Sequence, residues 1–238
     1  MSMKKYEFTG ETKVVFGKTL HRIKALISFG SIKAGELGGW IEKEENLSHD
    51  GNTWVSGDAE VSGDAEVSGN ARVSGDAWVT ENARVSGNAR VTGDARVTEN
   101  AWVTGNARVT ENARVTGNAE VSGNTWVTGN AEVSGGAWVT GNAEVSGGAW
   151  VTGNAWVTGI GTIFWIGGIG SRNGTTTFFA CKDKKVRVSC GCFYGDLDEF
   201  AAKVQETHGD NDHAKVYMLA IEMAKTRIRI SDEQEGEA

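Results

Sequence analysis

Apolar and polar positions repeat every six residues from residue 54 to residue 159. A valine recurs at each step from Val55 to Val157, and the position two residues before it is alanine from 59 to 155, except at Thr125. Because side chains alternate along a strand, the valine and this small residue point to the same side. Valine suits a flat packed face, and alanine fits where an interior narrows. The pattern predicts very short strands with one buried face.

The residues between successive strands predict sharp corners. From Val55 to Val151, each valine is followed by Ser or Thr, then Gly or Glu, then Asn, Asp or Gly. Glycine supplies the positive φ that a sharp corner requires. Three strands close a triangular coil of eighteen residues, so the eighteen hexads make six coils and a prism roughly 29 Å long. The fold class predicted is therefore mainly β, a parallel β-helix with small modules at its two ends.

The unit V-[ST]-[GE]-[NDG]-A-x resembles the hexapeptide-repeat family of left-handed parallel β-helices. The resemblance covers residues 54–159 and implies a left-handed coil, an exception to the usual crossover rule. Many members of that family are acyltransferases that use a histidine on a coil as general base. Residues 53–158 contain no His, Cys or Lys. We therefore expect no enzyme and no cofactor, with an acyltransferase as the alternative.

The repeat and its flanks divide the chain into four predicted parts. These are an N-terminal β cap at 1–40, the β-helix at 41–165, a C-terminal ββαα module at 166–230 and a disordered acidic tail at 231–238. In the first part, β-like runs at 4–8, 13–16 and 20–28 predict a small meander that covers the open end of the prism. Trp40, Ile41 and Leu47 already have the six-residue spacing, and 49–52 adds two residues to a corner. The early six-residue spacing and the enlarged corner together predict an irregular first coil.

The C-terminal part predicts a hairpin and two helices. Residues 175–181 and 185–190 form the hairpin, and 161–170 suits a last coil or a junction strand. Asp196 and Glu199 form a capping box before a helix whose apolar face is Leu197, Phe200, Ala201 and Val204. A second helix begins near Asp212. Its apolar residues are Val216, Leu219, Ala220 and Met223.

The residue before each valine points outward and is always Trp, Arg or Glu. Residues eighteen apart share a face, so the outward residues of face I are Trp54, Arg72, Arg90, Arg108, Trp126 and Glu144, those of face II are Glu60, Trp78, Arg96, Arg114, Glu132 and Trp150, and those of face III are Glu66, Arg84, Trp102, Glu120, Trp138 and Trp156. The simpler interpretation is cross-coil pairing of Arg with Trp or Glu. The functional interpretation is a contact surface, for which Trp138 and Trp156 on adjacent coils are the best candidates.

The C-terminal part also holds the candidates for ligand binding. The loop G-S-R-N-G at 170–174 and the threonine run after it predict an anion site at Arg172, Asn173 and Thr175, with a simple turn as the alternative. The candidates for zinc binding are Cys190, Cys192, His208 and His213. Their C-x-C spacing departs from the usual zinc pattern, so buried thiols and surface histidines are the alternative.

Charge and composition restrict the partners. The formal net charge is −7, and the repeats hold six Arg against twelve Asp and Glu, so we expect no nucleic acid. No apolar run approaches the roughly 20 residues of a membrane span, and the N-terminus does not resemble a signal peptide. Three cysteines are an odd number typical of a reducing compartment. We expect a cytoplasmic homo-oligomer, with a trimer packed through flat faces as one form.

Residues 4–12, 20–26 and 34–42, followed by V-S-G-D-A repeats, resemble uncharacterised proteins of bacteriophages and prophages. Some of these are labelled polymer-forming cytoskeletal proteins or transferases. The resemblance implies the cytoplasm of an infected or lysogenic bacterial host. The leading hypothesis is a non-catalytic scaffold whose C-terminal module binds a host protein or a small anionic ligand, and the phage resemblance implies a role against host defence as one form of it. The alternatives are an acyltransferase and an end-to-end polymer.

Overall fold

The computed structural model describes residues 4–230 and contains a parallel β-solenoid of about seven coils, a C-terminal antiparallel sheet and two helices. The predicted disordered tail at 231–238 lies outside the described residues. The first three strands are β1 (Tyr6–Val15), β2 (Lys18–Ala25) and β3 (Leu37–Ile41). A 3-10 turn at Glu44–Asn46 follows. The predicted mainly β fold is confirmed.

Eighteen two-residue strands, β4 to β21, form the walls of the solenoid. Each consists of one outward residue and the valine after it. In chain order they are Trp54–Val55, Glu60–Val61, Glu66–Val67, Arg72–Val73, Trp78–Val79, Arg84–Val85, Arg90–Val91, Arg96–Val97, Trp102–Val103, Arg108–Val109, Arg114–Val115, Glu120–Val121, Trp126–Val127, Glu132–Val133, Trp138–Val139, Glu144–Val145, Trp150–Val151 and Trp156–Val157. Strands eighteen residues apart pair in parallel, as Arg90 with Arg108 and Val91 with Val109. The three sheets are therefore the three predicted faces.

The interior contains the predicted valines and alanines. Val97 and Ala95 are fully buried, like their equivalents along the prism. Thr125 replaces alanine inside, and its hydroxyl donates to the Ser122 carbonyl at 2.6 Å, so the buried oxygen is paired. The backbone ladder runs between coils, for example from Trp78 N to Ala95 O at 2.9 Å. The hand of the coil stays a prediction.

The corners carry two features that depend on their side chains. From Val55 to Val151, the glycine two residues after each valine has a positive φ, and where Glu81, Glu99 and Glu111 replace it they keep φ between 60° and 64°. The next residue is often asparagine. Stacked asparagines donate side-chain hydrogen bonds from one coil to the next, as from Asn88 to Asn106 at 3.1 Å. These amide ladders satisfy polar groups along the edges of the prism.

The irregular first coil is present. Ile41 pairs with Val61 and Leu47 with Val67, each twenty residues away, whereas Val55 pairs with Val73 eighteen residues away. The two additional residues therefore lie between Leu47 and Val55, at the corner expected from the sequence.

The N-terminal strands lie against the first coil. The β1–β2 hairpin extends face II through β3. The Lys5 ammonium donates to the Asp50 and Thr53 carbonyls at 3.3 and 2.9 Å, and the Tyr6 hydroxyl donates to the Leu47 carbonyl at 2.8 Å. These bonds occupy backbone acceptors that an open coil would leave unpaired.

Trp54 differs from the expectation. Its side chain is 2% exposed, because Phe29 and Tyr6 of the N-terminal segment pack against it with ring centroids 5.4 and 6.5 Å away. It therefore belongs to the core and not to an outward surface.

The C-terminal sheet has four strands: the two of the predicted hairpin, one at the predicted junction strand and one that was not predicted. They are β22 (Ile163–Ile169), β23 (Gly174–Ala180), β24 (Val186–Cys190) and β25 (Phe193–Asp196), paired antiparallel in chain order after a 3-10 turn at Ile160–Thr162. The hairpin of β23 and β24 is as expected. Strand β22 spans the predicted boundary at 165/166.

Helices α1 (Leu197–His208) and α2 (Asp212–Arg227) cover the sheet. The Asp196 side chain accepts from the Glu199 amide at 2.9 Å, so the predicted cap is confirmed. In α2 the predicted apolar face is wrong except for one residue. The buried residues are Ala214, Tyr217, Ala220, Ile221 and Ala224. Tyr217 and Ile221 supply the bulk, and the alanines allow the helix to approach the sheet closely.

Candidate functional site

The C-terminal sheet lies between the last coil and the two helices. One of its sides completes the solenoid core with Ile163, Phe179 and Cys181, while Phe178 and Val188 belong to a second core under the helices. The Trp150 amide donates to the Thr177 hydroxyl at 3.0 Å, and the Lys182 amide to the Asn154 carbonyl at 3.2 Å. The sheet is thus fixed on the solenoid end.

A cleft of about 540 Å³ opens between this sheet, helix α1 and the last coil of face II. Five of the residues predicted as ligand or metal candidates line it, namely Arg172, Thr175, Cys190, Cys192 and His208. Asn173 lies in the same loop with φ of 48° but is not part of the lining, and neither is His213. The structure therefore brings together residues that lie up to 36 positions apart in the chain.

A buried hydroxyl without a partner lies at this cleft. Ser189 is 2% exposed, and its Oγ finds no hydrogen-bond partner among residues 4–230. Buried hydroxyls in folded proteins almost always have a partner. Ser189 is among the residues that line the cleft.

A chain of weaker hydrogen bonds runs on the side of the sheet that the helices cover. The Thr176 hydroxyl contacts the Cys190 sulfur at 3.2 Å, and the Tyr217 hydroxyl lies 3.8 Å from the same sulfur. Burial, with help from the Cys190 thiol, raises the pKa of Tyr217 to about 12. The phenol therefore stays neutral near pH 7 and is unsuited to act as a base.

The charges at the cleft are positive. Arg172 is exposed, and no ion pair to it is found within the described chain. Lys203 also lines the cleft, although its ammonium pairs with Glu206 at 2.8 Å. In the described lining there is no carboxylate. The rim therefore favours an anion.

Aromatic side chains complete the lining. Trp150, Phe193, Phe200 and Tyr217 contribute apolar surface, and the His208 ring stacks on Tyr217 with centroids 5.7 Å apart. Such a mixture of apolar wall and few polar groups is typical of small-molecule sites.

The zinc candidates do not form a metal site. Over residues 4–230 no three His, Cys, Asp or Glu side chains are close enough to hold a metal ion. Cys190, Cys192 and His208 share the cleft, whereas His213 is exposed outside it. Cys181 is buried at the junction with the solenoid, and that burial raises its pKa to about 11.

Trp138 and Trp156 lie on face III, away from the cleft lining. Their rings stack with centroids 4.8 Å apart and 19° between planes. The Lys182 ammonium lies 4.4 Å from the first ring centroid and 5.2 Å from the second. The pair is therefore already occupied by a cation from the same chain.

Cross-coil pairing of arginine with tryptophan is confirmed along the solenoid. The guanidinium carbons of Arg84, Arg96 and Arg108 lie 5.3, 4.7 and 4.9 Å from tryptophan ring centroids one coil away. Exposed tryptophan surface thus has a structural explanation on each face.

Four cleft residues were not predicted from the sequence, namely Ser189, Lys203, Tyr217 and Trp150. Ser189 lies between Val188 and Cys190 in the predicted strand at 185–190, and nothing in the sequence marks it as a site residue. Trp150 is the last outward residue of face II, so its position next to the C-terminal module could have been predicted from the sequence. The other two reach the cleft only through tertiary packing.

Comparison with known proteins supports the repeat architecture. A family model described as YdcK beta solenoid repeat matches residues 65–81 and 83–99. No curated protein matches the chain. Neither helix within residues 4–230 is long and apolar enough to cross a membrane.

Proposed function

We propose that this chain is a non-catalytic binding protein in which the solenoid is a rigid spacer and the C-terminal cleft binds a small anionic ligand with an apolar part. The observation that carries the proposal is the unpaired Ser189 hydroxyl, buried in a cleft whose rim holds Arg172 and Lys203 and no carboxylate. An anion would pair with Arg172 and give the Ser189 hydroxyl an acceptor. Its apolar part would contact Phe193 and Trp150.

A spacer role fits the uniform solenoid. Its walls hold no group that exchanges a proton near neutral pH, since residues 53–158 lack His, Cys and Lys. The nearest histidine, His49, accepts from the Lys5 amide at 3.1 Å and stacks on Tyr6 under the N-terminal strands. This arrangement disfavours an acyltransferase on the hexapeptide-repeat plan.

End-to-end polymerisation is also disfavoured. Lys5 and Tyr6 bond to the carbonyls of the first coil, and the C-terminal sheet packs on the last coil through Phe179. Both ends of the ladder are therefore covered. The proposal retains the phage context, in which the protein acts in the cytoplasm of an infected or lysogenic bacterium and its partner is a host protein or a sequestered anion.

Isothermal titration calorimetry of the full chain with phenyl phosphate tests whether the cleft binds an anion with an apolar part. We expect binding of phenyl phosphate, weaker binding of inorganic phosphate and no heat with benzyl alcohol, which keeps the ring but lacks the charge. Arg172→Gln should weaken phenyl phosphate binding by about tenfold or more, the loss of one charge-assisted pair. Arg90→Gln, on face I, is the matched control and should leave it unchanged.

Two results would refute the proposal. One is equal affinity for phenyl phosphate and benzyl alcohol, which indicates apolar binding alone. The other is an equal loss of phenyl phosphate affinity in Arg172→Gln and Arg90→Gln, which indicates nonspecific electrostatic binding.

A further inference from the structure

Helix α2 carries three of its larger aliphatic side chains on the exposed side, which is unusual for a helix of a monomeric protein. Val216, Leu219 and Met223 are 38%, 65% and 50% exposed, whereas three of the five buried residues are alanines. A helix that packs on one core normally buries its larger apolar residues and exposes polar ones. This helix instead has a second apolar surface, which we call the α2 stripe (Val216, Leu219 and Met223).

The α2 stripe has the spacing of a helix-packing seam. Its residues are three and four positions apart, so they align along one side of the helix, as the core positions of a coiled coil do. At about 100° per residue the stripe lies roughly 150° from the buried side centred on Tyr217 and Ile221. It is therefore separate from the cleft, which Tyr217 lines from the other side.

Charged residues beside the α2 stripe indicate that its partner is a second copy of this chain. Lys215 and Glu222 lie seven residues apart along one edge of the stripe, both exposed. A two-fold axis through Leu219 reverses the helix direction and places Lys215 opposite the partner's Glu222. The same operation places Val216 against the partner's Met223 and Leu219 against its own copy. The surface is thus complementary to itself in shape, apolarity and charge.

We propose that two copies of this chain associate through the α2 stripe, with the two α2 helices antiparallel about Leu219. The contact joins two C-terminal modules and leaves both clefts open, and it does not depend on whether the clefts bind an anion. The opposite charges favour the antiparallel register, because each Lys215 then lies opposite Glu222 of the partner subunit.

Sedimentation velocity of the full chain from low to high micromolar concentration tests this pairing. We expect a monomer–dimer equilibrium, and Leu219→Glu should raise the dimer dissociation constant at least about tenfold, as loss of a central anchor does. Met218→Glu is the matched control, since Met218 is 40% exposed on the same helix but lies off the stripe. It should leave the equilibrium unchanged.

Charge reversal tests the register. Lys215→Glu places two carboxylates together and should weaken the dimer, and Lys215→Glu with Glu222→Lys should restore it. Both substitutions also break exposed pairs within the helix, to Asp212 at 3.0 Å and Lys225 at 2.9 Å, so circular dichroism must show an intact helix in each variant.

Several results overturn the proposal. A monomer at every concentration, a trimer, or a dimer that Leu219→Glu leaves intact each excludes pairing through the stripe. A dimer that weakens in Leu219→Glu but is not restored by the double charge reversal excludes the antiparallel register.

Discussion

Three glutamates occupy solenoid corners that glycine fills elsewhere, and their removal should stabilise the protein. Glu81, Glu99 and Glu111 have φ of 64°, 62° and 60°. A residue with a Cβ costs roughly 1–2 kcal/mol in this left-handed region. At the glycine corners a Cβ would also press on the next coil, since one built on Gly93 would lie 2.9 Å from Glu111 N.

The expected gain in folding stability at each corner is the difference between two opposing terms. Replacing glutamate by glycine removes about 1–2 kcal/mol of strain and adds roughly 0.5–1 kcal/mol of backbone entropy cost. A net gain of about 0.7 kcal/mol per site gives about 2 kcal/mol for the triple variant, if the sites add. For a chain of this size that is about 4–8 °C in Tm.

Thermal unfolding followed by circular dichroism checks this expectation. The control is the triple Gln variant, which removes the charges but keeps the Cβ atoms, and it should change Tm little. Gly93→Glu reverses the change at one corner and should lower Tm. A triple Gly variant whose Tm equals or falls below the wild-type value would refute the reasoning that these corners store backbone strain.

Three further predictions follow from buried groups. Burial lowers the pKa of Lys5 to about 8 from an ordinary 10.5, so the unfolded chain binds more protons between these values. The stability of the wild type relative to Lys5→Met should therefore rise from pH 8 to pH 10.5 in urea titrations, and a flat or falling difference contradicts this. Ser189→Ala should leave the unliganded stability unchanged or raise it by up to about 1 kcal/mol, yet weaken phenyl phosphate binding in calorimetry; a clear loss of stability would show that the hydroxyl is already paired. With iodoacetamide, exposed Cys192 should react in the native protein and be shielded by phenyl phosphate, while buried Cys181 should react only after unfolding; mass spectrometry of the labelled chain shows the order.

The solenoid could be predicted almost completely from the sequence, because each slot of its repeat has a local reason. Valine and alanine alternate with outward residues, and glycine follows at the corner, so the register needs no distant information. Even the irregular first coil was visible in the spacing of Ile41 and Leu47. The burial of Trp54 could not be predicted, because it depends on the packing of Phe29 from the N-terminal segment against the Trp54 ring.

The C-terminal module was predicted less well for physical reasons. Strand β22 reads I-F-W-I-G-G-I, without alternation, because one side faces the solenoid core and the other the helices. Strand β25 has only four residues. In α2 the predicted Val216, Leu219 and Met223 are exposed, whereas Ala214 and Ala224, which the prediction lacks, are buried and allow close packing. The cleft residues Ser189 and Lys203 meet only after these elements pack.

A crystal structure of the full chain with phenyl phosphate tests the central claim most directly. The account predicts the ligand in the C-terminal cleft, with phosphate oxygens about 3 Å from the Arg172 guanidinium and the Ser189 hydroxyl and the ring near Phe193. A cleft that stays empty at saturating ligand, or a ligand bound instead beside Trp138 and Trp156 on face III, would contradict it.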